Sequence, residues 1–257
     1  MLELADGTPL AMRLYRGEAA ARGAALVAHF HGGAFTHGSL DAGAPMARAL
    51  QAAGAWVASI AYPLAPASRF PHALESAFEA IEWLHRHRTR LAGPAARLHL
   101  AGEEAGGNLA AALALMARDR GGPPIAGQLL FCPMLDPVMG TCSVRDGHAG
   151  VVGGCRWADG WHRYLRSPLD ADHPYAAPAS ASRLAGLPRA LLVTAADDLM
   201  RDETRAYARR LRAAGIEAAL VELEAPTGWP AALAAPGAAL PGGPALAARL
   251  REFLCAA

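Results

Sequence analysis

The chain has 257 residues, is 53% apolar and carries a formal net charge of +1, values that suit one large packed α/β unit and argue against disorder. Every basic residue is Arg, so with no Lys there is no Schiff-base lysine and no ordinary attachment point for pyridoxal phosphate. The arginines are dispersed, which does not make a nucleic-acid footprint, and no apolar run approaches the roughly 20 residues of a membrane span.

In chain order, residues 9–16 alternate as an early strand. Ala24 to Phe30 is a continuous apolar run suited to a central strand. It delivers the chain into His31-Gly32-Gly33-Ala34-Phe35, where paired glycines let backbone N–H groups face a cavity; an ordinary glycine turn is the alternative. A helix from Pro45 to Gly54 and a strand from Trp56 to Ala61 follow, then Tyr62-Pro63-Leu64-Ala65-Pro66. Phe70-Pro71-His72-Ala73 opens a helix striped by Ala73, Ala77, Ile81 and Leu84.

Arg97 to Ala101 reads as a strand that runs into Gly102-Glu103-Glu104-Ala105-Gly106-Gly107-Asn108, and a helix continues to Met116. Strand, tight turn and helix in that order make a nucleophile elbow, with Glu104 at its tip. Ile125 to Phe131 is the next strand. Residues 133–175 then break the pattern with Pro, Gly and the aromatic residues Trp157, Trp161 and Tyr164, and read as a cap-like insertion within one domain spanning 1–257. Alternation resumes with strand Ala190–Ala195, helix Arg201–Ala214, strand Ala218–Glu222 and helix Pro244–Cys255. Strands separated by helices imply a mostly parallel sheet, with ligands beyond the carboxyl ends of the strands.

Several of these segments together resemble the hormone-sensitive-lipase-like branch of the α/β-hydrolases. His31 to Phe35 is similar to that branch's His-Gly-Gly-Gly/Ala-Phe loop, and Tyr62 to Ala67 to its Tyr-Arg-Leu-Ala-Pro-Glu motif. Gly102 to Asn108 is similar to its Gly-Asp-Ser-Ala-Gly-Gly-Asn elbow, and Asp198 to Glu203 to its Asp-Pro-Leu-Arg-Asp-Glu acid motif. The segment from His173 to Pro178, with Leu184 to Pro188 after it, resembles the Asp-Pro-Tyr-x-x-Pro region. The resemblance implies an α/β-hydrolase fold with helices on both faces of the sheet and a reduced cap. It also implies an oxyanion hole formed by Gly32, Gly33 and Ala105, and a triad acid at Asp198.

Two departures decide what chemistry is expected. Glu104 stands where the branch has its nucleophilic Ser, and Thr227 where it has the catalytic His. Thr227 cannot serve as a base near neutral pH, and losing a triad member costs on the order of 10⁴ to 10⁶ in rate. The expectation is a degenerate hydrolase that binds a small apolar or ester-like ligand with little ester hydrolysis, its Glu104 side chain folded into the oxyanion hole as a built-in anion. Two alternatives stand beside it: acid–base chemistry by Glu104 with Asp198, as in a lyase or isomerase, and residual weak esterase activity.

No cofactor and no metal are expected; His29 and His31 read as core and loop residues, His85 and His87 as surface residues, and Glu103 as structural. Cys132, Cys142, Cys155 and Cys255 lack zinc-site or disulfide spacing and read as free thiols. Trp229, with Trp157, Trp161 and Tyr164, is expected on the pocket wall. The chain shows no signal peptide, so a cytoplasmic protein is expected, with no nucleic-acid or membrane partner; a homodimer is left open.

Overall fold

A computed structural model describes residues 1–17, 25–147, 155–224, 226–234 and 242–255. Ala24 at the head of the expected second strand and residues 148–154 of the expected insertion lie outside the described residues.

The chain begins with a two-stranded antiparallel ribbon, β1 (Leu2–Glu3) and β2 (Pro9–Leu10), which the alternation over 9–16 does not separate from the main sheet. That sheet contains β3 (Met12–Tyr15), β4 (Ala25–Phe30), β5 (Trp56–Ile60), β6 (Arg97–Glu103), β7 (Ile125–Phe131), β8 (Ala190–Ala195) and β9 (Ala218–Leu223), in the spatial order β3-β5-β4-β6-β7-β8-β9. All neighbours are parallel except β3 with β5. The fold is an α/β-hydrolase fold. Every residue of β4 and β8 is buried, as expected of parallel strands covered on both faces.

Helices α1 (Ala44–Ala52), α2 (His72–Ala92) and α3 (Ala105–Arg120) follow β4, β5 and β6 respectively. In α3 every residue from Ala105 to Met116 is buried, so it is apolar all round and sits in the core rather than on a face. Its many Ala and Gly residues let the backbone approach the strands closely. At Gly106 a Cβ would run into the carbonyl of Phe30, at the end of β4, so the first turn of α3 docks directly against the loop after β4. The helix ends at Gly121 in the left-handed conformation (φ 61°), and the Gly122 amide turns back to the Ala117 carbonyl at 2.8 Å.

Between β7 and β8 the chain forms no strand among the described residues; it makes α4 (Cys142–Gly147), α5 (Arg156–Tyr164) and two short 3₁₀ turns. α5 buries Gly160, Trp161 and Tyr164. The Tyr164 ring stacks on Phe35 at 4.0 Å and Trp161 tilts against Phe35 at 4.9 Å, which fastens this helix to the loop after β4. Of the four aromatic residues expected on the pocket wall, Trp161 and Tyr164 pack on Phe35. α6 (Arg201–Ala213) and α7 (Gly243–Cys255) complete the helical layers. Among the described residues no helix is long and apolar enough to cross a membrane.

Candidate functional site

Glu104 is the last residue before α3 and the point where the chain reverses, with φ 55° and ψ −115°. A non-glycine residue holds that conformation only when its surroundings over-determine it. They do so here: its N–H donates to the Phe131 carbonyl at 3.0 Å, and its own carbonyl accepts from Met134 N at 3.0 Å and Asn108 N at 3.1 Å. The Asn108 side chain adds bonds to the Met134 and Ala176 carbonyls, both at 2.9 Å, tying α3 to the segment beyond β7.

The loop after β4 faces this turn. Gly33, Ala34 and Phe35 all have positive φ (119°, 49° and 64°), an arrangement that points successive N–H groups into a concavity. The Glu104 carboxylate lies in it: Ala34 N donates to Oε1 at 2.7 Å, and the Gly33 amide is near enough to lower the carboxyl pKa. The expected donor set was Gly32, Gly33 and Ala105. Gly32 instead donates to Glu103 Oε1 at 3.2 Å, because the acidic side chain before the tip reaches back to the loop. Ala34, one residue past the expected glycines, is the loop amide that donates to Glu104.

Glu103 has a holding role. Its other oxygen bonds His29 Nε2 at 2.8 Å, and His29 Nδ1 meets Ser59 Oγ at 3.0 Å, so β4, β5 and β6 are cross-linked beneath the loop. His31 stacks on Tyr62 at 4.5 Å, and the Tyr62 hydroxyl donates to the His31 carbonyl at 2.8 Å, bracing the loop from the other side. Burial lowers the His31 pKa, which keeps the ring neutral.

From α5, Arg156 brings its guanidinium to 3.6 Å from Glu104 Oε2 and lies over the Trp157 ring at 4.4 Å. Four residues on, Gly160 sits so close to the Ala34 carbonyl that no Cβ would fit. Residues 156 and 160 share a helix face, so this close approach is what aims Arg156 at the elbow. Glu104 is 2% exposed while the Arg156 side chain is 53% exposed. Burial pushes the Glu104 pKa up; Arg156, the Ala34 and Gly33 amides and the Trp157 indole pull the other way and only partly offset it. The amide donors alone suggest a depressed pKa, and the low exposure reverses that.

Asp198 and Thr227 each bond to other partners. Asp198 is buried just past β8, where it accepts from Thr194 Oγ1 at 2.5 Å and Met200 N at 2.9 Å, and burial raises its pKa to about 6. Thr227 is tied to the adjacent carboxylate: Asp197 accepts from Thr227 N at 2.8 Å, Thr227 Oγ1 at 2.6 Å and Gly228 N at 2.8 Å. These bonds hold the Asp197 pKa below the usual range against the effect of burial. A pocket of about 240 Å³ opens here, lined by Ser143, Asp146, Ala196, Asp197, Asp198 and Arg201. Cys132, fully buried, lies within electrostatic reach of Asp198, Glu104 and Glu103, and burial raises its thiol pKa strongly, so it stays protonated. All four cysteines are free. Trp229 is buried, whereas Trp157 is partly buried.

Sequence reasoning missed Ala34, Asp197 and Arg156. The first two sit beside residues it did name, and a shift of one position was open in each motif. Arg156 opens a short helix signalled only by Trp157, Trp161 and Tyr164 at helical spacing, and nothing in the sequence signals its reach to Glu104.

Residues 27–227 match the family described as alpha/beta hydrolase fold. The chain is 34% identical over 222 residues to the carboxylesterase NlhH of Mycobacterium tuberculosis, covering 84% of this chain and 69% of that protein. It is 33% identical over 211 residues to the gibberellin receptor GID1 of Oryza sativa, covering 77% and 59%. Among solved structures, the hyperthermophilic esterase of Pyrobaculum calidifontis superposes with a TM-score of 0.76 at 36% identity, covering 85% of this chain and 71% of that one. A fold and motifs of this kind define a relative of carboxylesterases and lipases. The chain belongs to the hormone-sensitive-lipase-like branch of the α/β-hydrolase family.

Proposed function

We propose that this chain is a degenerate hydrolase: a cytoplasmic, single-domain protein, residues 133–175 forming its cap, that binds a small apolar or ester-like ligand with little or no ester turnover. One observation carries the reading. At the position of the family's nucleophile stands a carboxylate, already hydrogen-bonded to Ala34 N at 2.7 Å, where a developing oxyanion would have to be stabilised. Thr227 supports it, since a hydroxyl bonded to Asp197 offers no base to start or finish an acyl-enzyme cycle. The gibberellin receptor among its relatives is named as a receptor rather than an enzyme, which makes ligand binding without turnover a reasonable end point for the fold.

The unmodified chain is expected to leave p-nitrophenyl acetate at the rate of a buffer control, and the Glu104→Ser/Thr227→His double variant is expected to exceed it measurably. Sustained multiple-turnover hydrolysis by the unmodified chain ends the proposal. A second reading, elimination or isomerisation by Glu104 with Asp198, draws on their raised pKa values. It needs substrate to reach a carboxylate that is 2% exposed behind Arg156, so the binding reading is preferred.

A further inference from the structure

The groups around Glu104 form more than an oxyanion hole. The Ala34 N–H, in a loop whose Gly33, Ala34 and Phe35 all have positive φ, donates to one carboxylate oxygen at 2.7 Å, and the Arg156 guanidinium approaches the other oxygen at 3.6 Å. Trp157 holds that guanidinium from below at 4.4 Å. Amides in a left-handed turn together with a facing guanidinium match a planar, singly charged acid with two oxygens. An ester offers one strong acceptor oxygen, its carbonyl, beside a weak alkoxy oxygen and no full charge, and would leave Arg156 without a counter-ion at the site.

We infer that the elbow is a carboxylate-binding site, assembled jointly by the loop after β4 and by Arg156 of α5, and that Glu104 is its tethered occupant. This rests on the degenerate-hydrolase reading and deepens it by saying what the elbow of the unmodified chain holds and what chemistry built the site. In the unmodified chain the site is filled, so free acids are excluded from it and any bound ligand engages the remainder of the rim. Once the tether is cut, the site takes a short-chain monocarboxylate. The size follows from the residue removed. Glu104→Ala deletes a CH₂–COO⁻ unit, the equivalent of acetate, whereas Glu104→Gly deletes CH₂–CH₂–COO⁻, the equivalent of propionate. The glycine variant also relaxes the backbone at φ 55° and so provides a second route to a folded protein.

The test is calorimetric titration of sodium acetate and sodium propionate into the folded, full-length chain at matched ionic strength, with sodium chloride as control. Glu104→Ala is expected to bind acetate with a Kd on the order of 1 mM, as suits a ligand of four non-hydrogen atoms, and to prefer it to propionate. Glu104→Gly is expected to accept propionate at least as well as acetate. Adding Arg156→Ala to either variant should weaken binding about tenfold or more. Folded Glu104→Ala and Glu104→Gly proteins with no saturable uptake of either acid at about 100 mM would overturn the inference, as would unmodified protein binding acetate as tightly as Glu104→Ala. An Arg156→Ala change with no effect would remove α5 from the site and overturn the joint assembly. None of these outcomes depends on ester hydrolysis by the unmodified chain, so the two proposals fail separately.

Discussion

Glu104 combines two costs at one residue: a backbone at φ 55°, ψ −115° and a carboxylate that is 2% exposed. A strained conformation of this kind costs about 1–3 kcal/mol, and burial disfavours the charged form further. The charge is compensated by Ala34 N, Gly33 N and Arg156, yet the pKa remains above the ordinary glutamate value. The direction sets the sign of a stability effect. A carboxyl whose folded pKa is raised contributes stability that is fully present below its unfolded pKa and is lost as pH rises through the folded value. Glu104→Gln keeps the shape and removes the titration. Its stability relative to the unmodified chain, read as the difference in urea midpoint at constant m, is therefore expected to improve from pH 4 to pH 8. A difference that shrinks over that range would mean that Arg156 and the amides outweigh burial.

The element that matters most for the site is α5. It carries Arg156, Trp161 and Tyr164 on the side facing the loop after β4, and its approach is set by Gly160 against the Ala34 carbonyl. Gly160→Ala adds a methyl where backbone already sits, so the helix must lift. Overpacking of this sort costs about 1–3 kcal/mol. The variant is expected to lose that much stability by denaturant titration and also to expose Glu104 to solvent, whereas an unchanged melting temperature would show that the helix shifts freely. How much of this was legible differs by element. β7 and β8 are mostly apolar runs between turn residues, β7 interrupted by Gly127 and Gln128 and β8 by Thr194, and their limits at 125–131 and 190–195 follow from the sequence alone. β6 runs two residues past its apolar run to Glu103, because Glu103 is satisfied inside by His29 and Gly32. α5 was not separated from the insertion around it, although Trp157, Trp161 and Tyr164 recur at helical spacing; the stripe is short, and it packs on Phe35 of a distant loop. The elbow was legible because its glycines answer to backbone sterics, as at Gly106. The partners of Asp197 and Asp198 were not, since which of two adjacent carboxylates turns inward depends on Thr194 and on the Thr227 loop.

Across the whole molecule, two buried groups at opposite ends of the sheet pull stability in opposite directions with pH. His99 lies near the start of β6, its Nδ1 beside the Arg97 carbonyl at 3.2 Å and its Nε2 buried without a hydrogen-bond partner; burial lowers its pKa to about 4. Asp198 lies beyond the end of β8, and burial raises its pKa to about 6. For the histidine, the folded pKa is depressed, so its stability contribution is present above the unfolded value and lost as pH falls toward 4. For the aspartate the contribution is present at acid pH and lost as pH rises through about 6. Each shift spans roughly two units or slightly more, or about 3 kcal/mol at 1.36 kcal/mol per unit. The two slopes therefore nearly cancel between about pH 4 and 6.5, where each loses what the other gains. Removing one should unmask the other. Asp198→Asn is expected to gain about 3 kcal/mol over the unmodified chain as pH moves from 4 to 7, and His99→Leu to gain a similar amount as pH moves from 6.5 to 4. Because the sites share no partner, the double variant should show the sum of the two differences at every pH. Denaturant titrations of the four proteins at half-unit pH steps would read this directly, and an Asp198→Asn advantage that shrinks toward neutral pH would mean that Thr194 and Met200 favour the charged carboxylate over the buried neutral one.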